Sequence, residues 1–409
     1  MSHDVATPFA PVTLADGRHA RDAWPLDPDI VHLNHGSFGA VPSEVVRAQE
    51  ELRALADLSP VSWFPRVAER VAQAREEVAP FVGASADDLV FVPNASAAAT
   101  VVYNALRLRP GDEVVVTDHG YGAVSMGARR LARRFGADLR TVRIPLSATD
   151  DEVVDCFREQ LTDRARLVVV DQITSPTARL LPTERIAHVA RERGARVLVD
   201  GAHGPGLVPD AARGTGGDWW FGNLHKWPCA PRGSAVLVTS ASDRDDLWPL
   251  IDSWAADDPY PTRFDTQGTL DATSYIAAPR AIEFVEREYG WSRAREAMRA
   301  AADEGARAIA AAMQPYVSDE ALHASPSPVP SMRLVRLPDG LGRAREDADE
   351  LRMRLLDLTG IEAAFTSFAG VGYLRLSVHL YTEARDFEAF IDHAIPQIVR
   401  LAGERRPAH

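Results

Sequence analysis

Six short, valine-rich apolar runs alternate with amphipathic helical patterns between about residues 40 and 240. The runs are 89–92, 113–117, 167–171, 197–200, 219–222 and 235–239; the helical patterns are 43–57, 65–82, 95–108, 125–135, 150–161 and 183–193. Near-continuous apolar runs of this length suit strands buried on both faces. Strand and helix in turn, at this spacing, require a mostly parallel sheet with helices on both sides. Beyond it, helical patterns at 275–289, 292–313, 344–358 and 384–402 surround a strand pair at 332–337 and 372–377, which reads as a smaller α+β domain. The predicted organisation is an N-terminal arm (1–30), a large α/β domain (31–265) and a small C-terminal α+β domain (266–409).

Charge and composition narrow the function. The net charge of −13 argues against a general nucleic-acid binder, which needs basic patches to neutralise phosphates. Two cysteines, Cys156 and Cys229, exclude a disulfide framework and a cysteine-rich metal site, and no metal is expected. No apolar run approaches the ~20 residues that span a bilayer. The N-terminal sequence lacks the basic start and apolar stretch of a signal peptide. The expectation is a cytoplasmic enzyme with a small-molecule substrate.

Lys226 is the single lysine; every other residue among the 45 Lys and Arg is arginine. A GC-rich coding bias accounts for most of that. It also implies that a lysine which persists does something a guanidinium cannot. Arginine stays protonated, whereas lysine can form a Schiff base.

Four segments carry chemistry at the ends of predicted strands. Residues 217–233 (GDWWFGNLHKWPCAPRG) put His225 and Lys226 where a strand stops, the place at which open α/β sheets bind ligands. Residues 197–206 (VLVDGAHGPG) end a strand in Asp200, either a turn residue or an acid held in a site, with His203 just after. Residues 89–100 (LVFVPNASAAAT) open a helix on small residues, either a simple cap or an anion cradle. Residues 113–123 (EVVVTDHGYGA) deliver His119 and Tyr121, either rim packing or a ring stacker and a proton donor. An imine-forming lysine, an acid, ring-stacking candidates and an anion cradle together suit pyridoxal 5'-phosphate.

The ordered segments LNHGSFG (33–39), PNASA (93–97), TDHGYGA (117–123), DQITSPT (171–177), VDGAH (199–203), NLHK (223–226), QGTLD (267–271) and LRLSVHLY (374–381) resemble the aminotransferase class V family of fold-type I pyridoxal-phosphate enzymes, in its isopenicillin N epimerase-like branch. The resemblance implies an aspartate aminotransferase-like fold with a seven-stranded-type sheet. It implies that Lys226 bears the cofactor, Asp200 pairs with its ring nitrogen and His119 stacks on the ring. His203 and Ser175 would contact the ring's polar edge. Ala95, Ser96, Ala97, Asn223 and His225 would hold the phosphate, with Thr269 reaching the phosphate of the partner subunit in a homodimer. Asn34, His35 and Arg375 would bind substrate, Arg375 clamping a carboxylate bidentately. Apart from the resemblance, the segment PVSWFPR (60–66) offers Trp63 and Phe64 either as walls of the substrate pocket or as core packing before the next helix. Arg66, Arg232 and Arg263 are candidate contacts for a distal carboxylate or sugar, none singled out among so many arginines.

For the reaction, Lys226 would remove the α-proton of an amino acid, and epimerisation then needs a second acid: Tyr121, with His35 behind it. β-Elimination from an S-substituted cysteine, a C–S lyase reaction in secondary metabolism, is the alternative. Cysteine desulfurase activity or transamination fits less well, because a desulfurase needs a nucleophilic cysteine late in the chain. A cofactor-binding regulatory protein is the alternative of a different class.

Overall fold

The larger sheet has seven strands: β1 (Leu89–Val92), β2 (Glu113–Thr117), β3 (Asp138–Val142), β4 (Ala165–Asp171), β5 (Arg196–Asp200), β6 (Trp219–Asn223) and β7 (Ala235–Thr239). Their order is β1-β7-β6-β5-β4-β2-β3. Strands β2 to β6 run parallel to one another. Strand β7 runs antiparallel to both β1 and β6, so β1 points the same way as the rest. The buried strands match the apolar runs seen in the sequence. The edge strand β3 was not foreseen, because its residues DLRTV are mostly polar and only Val142 is fully buried.

The computed structural model describes residues 11–405, which fall into two units. One comprises Val41–Ser175 and Leu180–Phe284 and holds this sheet. Its helices are α1 (Ser43–Leu58), α2 (Val67–Val82), α3 (Ala95–Ala105), α4 (Gly122–Phe135), α5 (Asp150–Gln160) and α6 (Thr183–Glu192). Local signals set their ends. Thr149 and Glu152 form a reciprocal capping box at the start of α5. Gly83 and Gly136 end α2 and α4 at φ +77° and +67°. Helices α3 and α4 approach closely at Gly127, where a Cβ would lie 2.7 Å from the Tyr103 ring.

Of the described residues, the other unit contains those up to Ala40, the short stretch Pro176–Arg179, and those from Val285 onward. Helix α7 (Thr273–Glu288) carries the chain into it. Its four-stranded antiparallel sheet has the order β10-β11-β9-β8, from β8 (Leu322–His323), β9 (Met332–Arg336), β10 (Phe365–Phe368) and β11 (Val371–Ser377). Helices α8 (Trp291–Met313), α9 (Arg345–Thr359), α10 (Ala384–Ala389) and α11 (Ile395–Arg405) accompany it. The pattern expected to form one helix over 384–402 is interrupted by a π-helical turn, Phe390–Ala394. Residues Leu14, Ala20 and Trp24 near the start of the described chain are buried. No described helix is long and apolar enough to cross a membrane.

Candidate active site

Because β1 to β6 run in one direction, Thr117, Asp171, Asp200 and Asn223 end on one edge of the sheet. The turns that follow those strands carry His119, Ser175, His203 and Lys226. Lys226 is buried, and its Nζ lies 3.0 Å from His203 Nε2. The Trp227 indole N–H donates to His203 Nδ1 at 3.3 Å. Gly201 makes this turn possible: a Cβ there would meet the Trp220 indole at 2.1 Å.

Asp200 and Asp171 are cross-strand neighbours in register. One Asp200 oxygen accepts the Ala202 N–H at 3.0 Å; the other, Oδ2, is buried with no hydrogen-bond partner among the described residues. Burial pushes the Asp200 carboxyl up to about 6, against the opposing pull of the Ala202 N–H and of Lys226 whenever its amine is protonated. Asp171 is raised well above the carboxylate range by burial and then by the Asp200 charge. Its Oδ1 accepts the Tyr121 N–H at 3.3 Å, tying the loop that bears His119 and Tyr121 to the strand end. Sequence reasoning missed Asp171, although the signal was present: β4 and β5 close on the matching strings VVVD and VLVD.

His119 is fully buried, and its Nε2–H donates to the Ile144 carbonyl at 2.9 Å. Tyr121 precedes α4 and is 43% exposed. At the start of α3, the Ala95 N–H donates to Asn223 Oδ1 at 3.0 Å and the Ala97 N–H to Asn94 Oδ1 at 2.9 Å. Two of the three amides expected at an anion cradle therefore have protein acceptors, and the Ser96 N–H lies between them. His225 donates from Nδ1 to the Ser234 carbonyl at 3.1 Å. Burial and the neighbouring Lys226 charge push His225 down to about 4. Ser175 is half-buried and Thr269 exposed. Trp63 is buried with the Arg70 guanidinium 4.7 Å above its ring, while Phe64 is partly exposed.

The other unit holds the remaining predicted residues. Arg375 Nη2 donates to Asn34 Oδ1 and to Ser37 Oγ, both at 3.1 Å. Asn34 and Arg375 thus belong to one hydrogen-bonded group. His35 is buried in a ring cluster: it stacks on His379 at 4.1 Å and its Nδ1 lies 2.9 Å from the Tyr381 hydroxyl. Trp24 meets His379 and Tyr381 obliquely or edge-on. His379 and Tyr381 lie in LRLSVHLY, where the sequence gives them no role. A single chain cannot show that they would pack on His35, some 345 residues earlier.

Residues 42–329 match the family model for class-V aminotransferases. The chain belongs to that family. It is 30% identical over 406 residues to isopenicillin N epimerase of Streptomyces clavuligerus, covering 93% of this chain and 98% of that one. It is 28% identical to a probable chloroplastic L-cysteine desulfhydrase of Arabidopsis thaliana, covering 91% and 84%. Among solved structures it superposes on a C-DES variant with glycine covalently linked to the pyridoxal-phosphate cofactor, at TM-score 0.76 and 19% identity over 93% and 98% of the two chains. The fold is that of the fold-type I pyridoxal-phosphate enzymes, and the protein is a pyridoxal-phosphate-dependent enzyme.

The site fits that cofactor on its own chemistry. Asp200 Oδ2 is a buried acceptor in want of a donor, as a protonated ring nitrogen would be. The buried amine of Lys226 supplies the only lysine nucleophile in the chain. The first turn of α3 adds a helix N-terminus for the phosphate.

Proposed function

We propose that the enzyme epimerises the α-carbon of an L-amino acid or amino-acid conjugate, with Lys226 as the base. The observation that carries this reading is the buried Lys226 amine held 3.0 Å from His203 beside the Asp200–Asp171 carboxyl pair. The bound cofactor supplies an electron sink that acidifies the α-proton. Asp200 accepts the ring N–H and keeps the ring electron-poor. His119, fixed by its bond to Ile144, offers its face to the ring. Ser96, Asn223 and His225 hold the phosphate, the Ala95 and Ala97 N–H groups, bonded to Asn223 and Asn94, shape the first turn of α3 around it, and Thr269 extends to the partner subunit's phosphate. His203 and Ser175 take the polar edge of the ring. Arg375, braced by Asn34, holds the substrate carboxylate, and His35 and Trp63 border the substrate.

Lys226 then takes the α-proton, and Tyr121 returns one from the opposite face. The His35 ring sits in the His379–Tyr381 cluster, which leaves the half-exposed Tyr121 as the better second acid.

A homodimer follows from the same reading. On the larger unit, Leu58, Val61 and Trp254 are almost wholly exposed, and Leu270 beside Thr269 is open. The Arg53–Asp271 ion pair joins the α1 surface to the segment bearing Leu270 and Thr269. Covering these exposed apolar side chains is a role a second copy would fill. We place the enzyme in the cytoplasm and in secondary metabolism.

The second reading is C–S lyase chemistry, favoured by the similarity to L-cysteine desulfhydrases. It uses the same proton abstraction, with Tyr121 protonating the departing sulfur. A persulfide-forming desulfurase is disfavoured. Cys156 sits on helix α5 with its thiol raised by burial and nearby acids, and Cys229 is buried in the turn after Lys226. Incubation with isopenicillin N and with a panel of L-cysteine S-conjugates decides between the readings. Inverted α-carbon in an intact product supports epimerisation; pyruvate with a released thiol replaces it with the lyase.

A further inference from the structure

We infer that Trp227 is a positioning residue that locks His203 in the tautomer carrying its proton on Nε2, and so holds the free amine of Lys226 unprotonated. The argument is one of donors and acceptors. An indole N–H can only donate, so His203 Nδ1, 3.3 Å from Trp227 Nε1, must be a bare acceptor. A histidine with bare Nδ1 is neutral and carries its single proton on Nε2. That Nε2–H points at Lys226 Nζ, 3.0 Å away. An ammonium has three donors and no acceptor, so only a neutral amine can complete the contact.

Without the indole the imidazole could adopt its other tautomer and accept a hydrogen bond from an ammonium. Trp227 thus acts on Lys226 through His203, and the adjacency of HKW at 225–227 to the turn of DGAH at 200–203 is what builds the chain. The other charged or titratable groups facing the amine are Asp200 and Asp171 at the ends of β5 and β4, and His225 beside it. The carboxyls oppose the effect of Trp227 if both ionise. Burial and the Asp200 charge both raise Asp171, which favours its protonated form and limits that opposition. Burial, the larger cause of its lowered pKa, disfavours a charged His225 even beside a neutral amine, so His225 adds no counter-charge.

The inference deepens the assignment of Lys226 as the proton-abstracting base and rests on it for its meaning in turnover. Its test reads the amine directly. The full-length chain, stripped of cofactor, is labelled with 15N at lysine Nζ and at histidine ring nitrogens. With one lysine in the sequence, a single side-chain amine signal reports Lys226 alone. The His203 signals are identified by their loss in His203→Gln.

The expected result is a bare Nδ1 and a protonated Nε2 on His203 in the wild type. In Trp227→Phe, which keeps the aromatic packing and deletes the N–H, the amine's titration midpoint should rise by about one pH unit. A protonated Nδ1 in the wild type, which needs no variant to fold, overturns the inference. So does a midpoint that Trp227→Phe leaves in place. Either failure leaves untouched the separate question of whether Lys226 exchanges the α-proton of a substrate, so the two readings fail distinguishably.

Discussion

Asp200→Asn should stabilise the cofactor-free chain at neutral pH while weakening the loaded enzyme. The reason lies in the buried Oδ2, which has no donor among the described residues. Burial raises the folded-state carboxyl from 3.8 to about 6. The folded chain therefore binds this proton more tightly than the unfolded chain. Stability falls as pH rises through the window from about 4 to about 6, and the whole penalty is present above it. A shift of about two units at 1.36 kcal/mol each gives a penalty on the order of 3 kcal/mol. Asparagine carries no charge and escapes it, and it also relieves Asp171 of a like charge. Thermal denaturation of the cofactor-free wild type and Asp200→Asn should diverge by a few degrees at pH 8 and converge near pH 4. Added pyridoxal phosphate should stabilise the wild type much more than the variant, because a carboxylate meets the protonated ring nitrogen with a charge-assisted bond and an amide oxygen does not. A cofactor-free variant that melts at or below the wild type at pH 8 refutes the claim that this carboxylate is buried without a partner.

Other outcomes follow from single contacts. Lys226→Arg keeps a cation but removes the amine nucleophile and base, so turnover should fall by about 10²–10⁴-fold while far-UV circular dichroism stays unchanged. Arg375→Lys should raise KM for a carboxylate-bearing substrate about tenfold, through loss of fork geometry, with a smaller change in kcat; steady-state kinetics reads the split. Cys229 sits at φ +61° in the turn closed by its N–H on the Lys226 carbonyl. Cys229→Gly should therefore be more stable than Cys229→Ala by about 1 kcal/mol in chemical denaturation, since both lose the thiol and only glycine is relaxed there.

The sequence made the sheet legible because its central strands are apolar on both faces, and it made the ligand edge legible because parallel strands end together. The lone lysine singles out Lys226 without any family likeness. Three features stayed hidden for physical reasons. The edge strand β3 is half polar and carries no buried-strand pattern. The Trp227–His203 bond joins two turns 24 residues apart, and neither turn alone announces it. The His35–His379–Tyr381 stack depends on tertiary packing between the chain's beginning and its end. Asp171 is different: its place at the end of an apolar strand matched that of Asp200 and could have been read.

Proton exchange at the α-carbon tests the central claim most directly. The loaded enzyme is incubated in deuterated water with isopenicillin N and the L-cysteine S-conjugates, and recovered substrate and product are read by proton NMR. Deuterium at the α-carbon with the wild type, and its near absence with Lys226→Arg, is the expected result. Exchange at an undiminished rate in Lys226→Arg would contradict the assignment of Lys226 as the base.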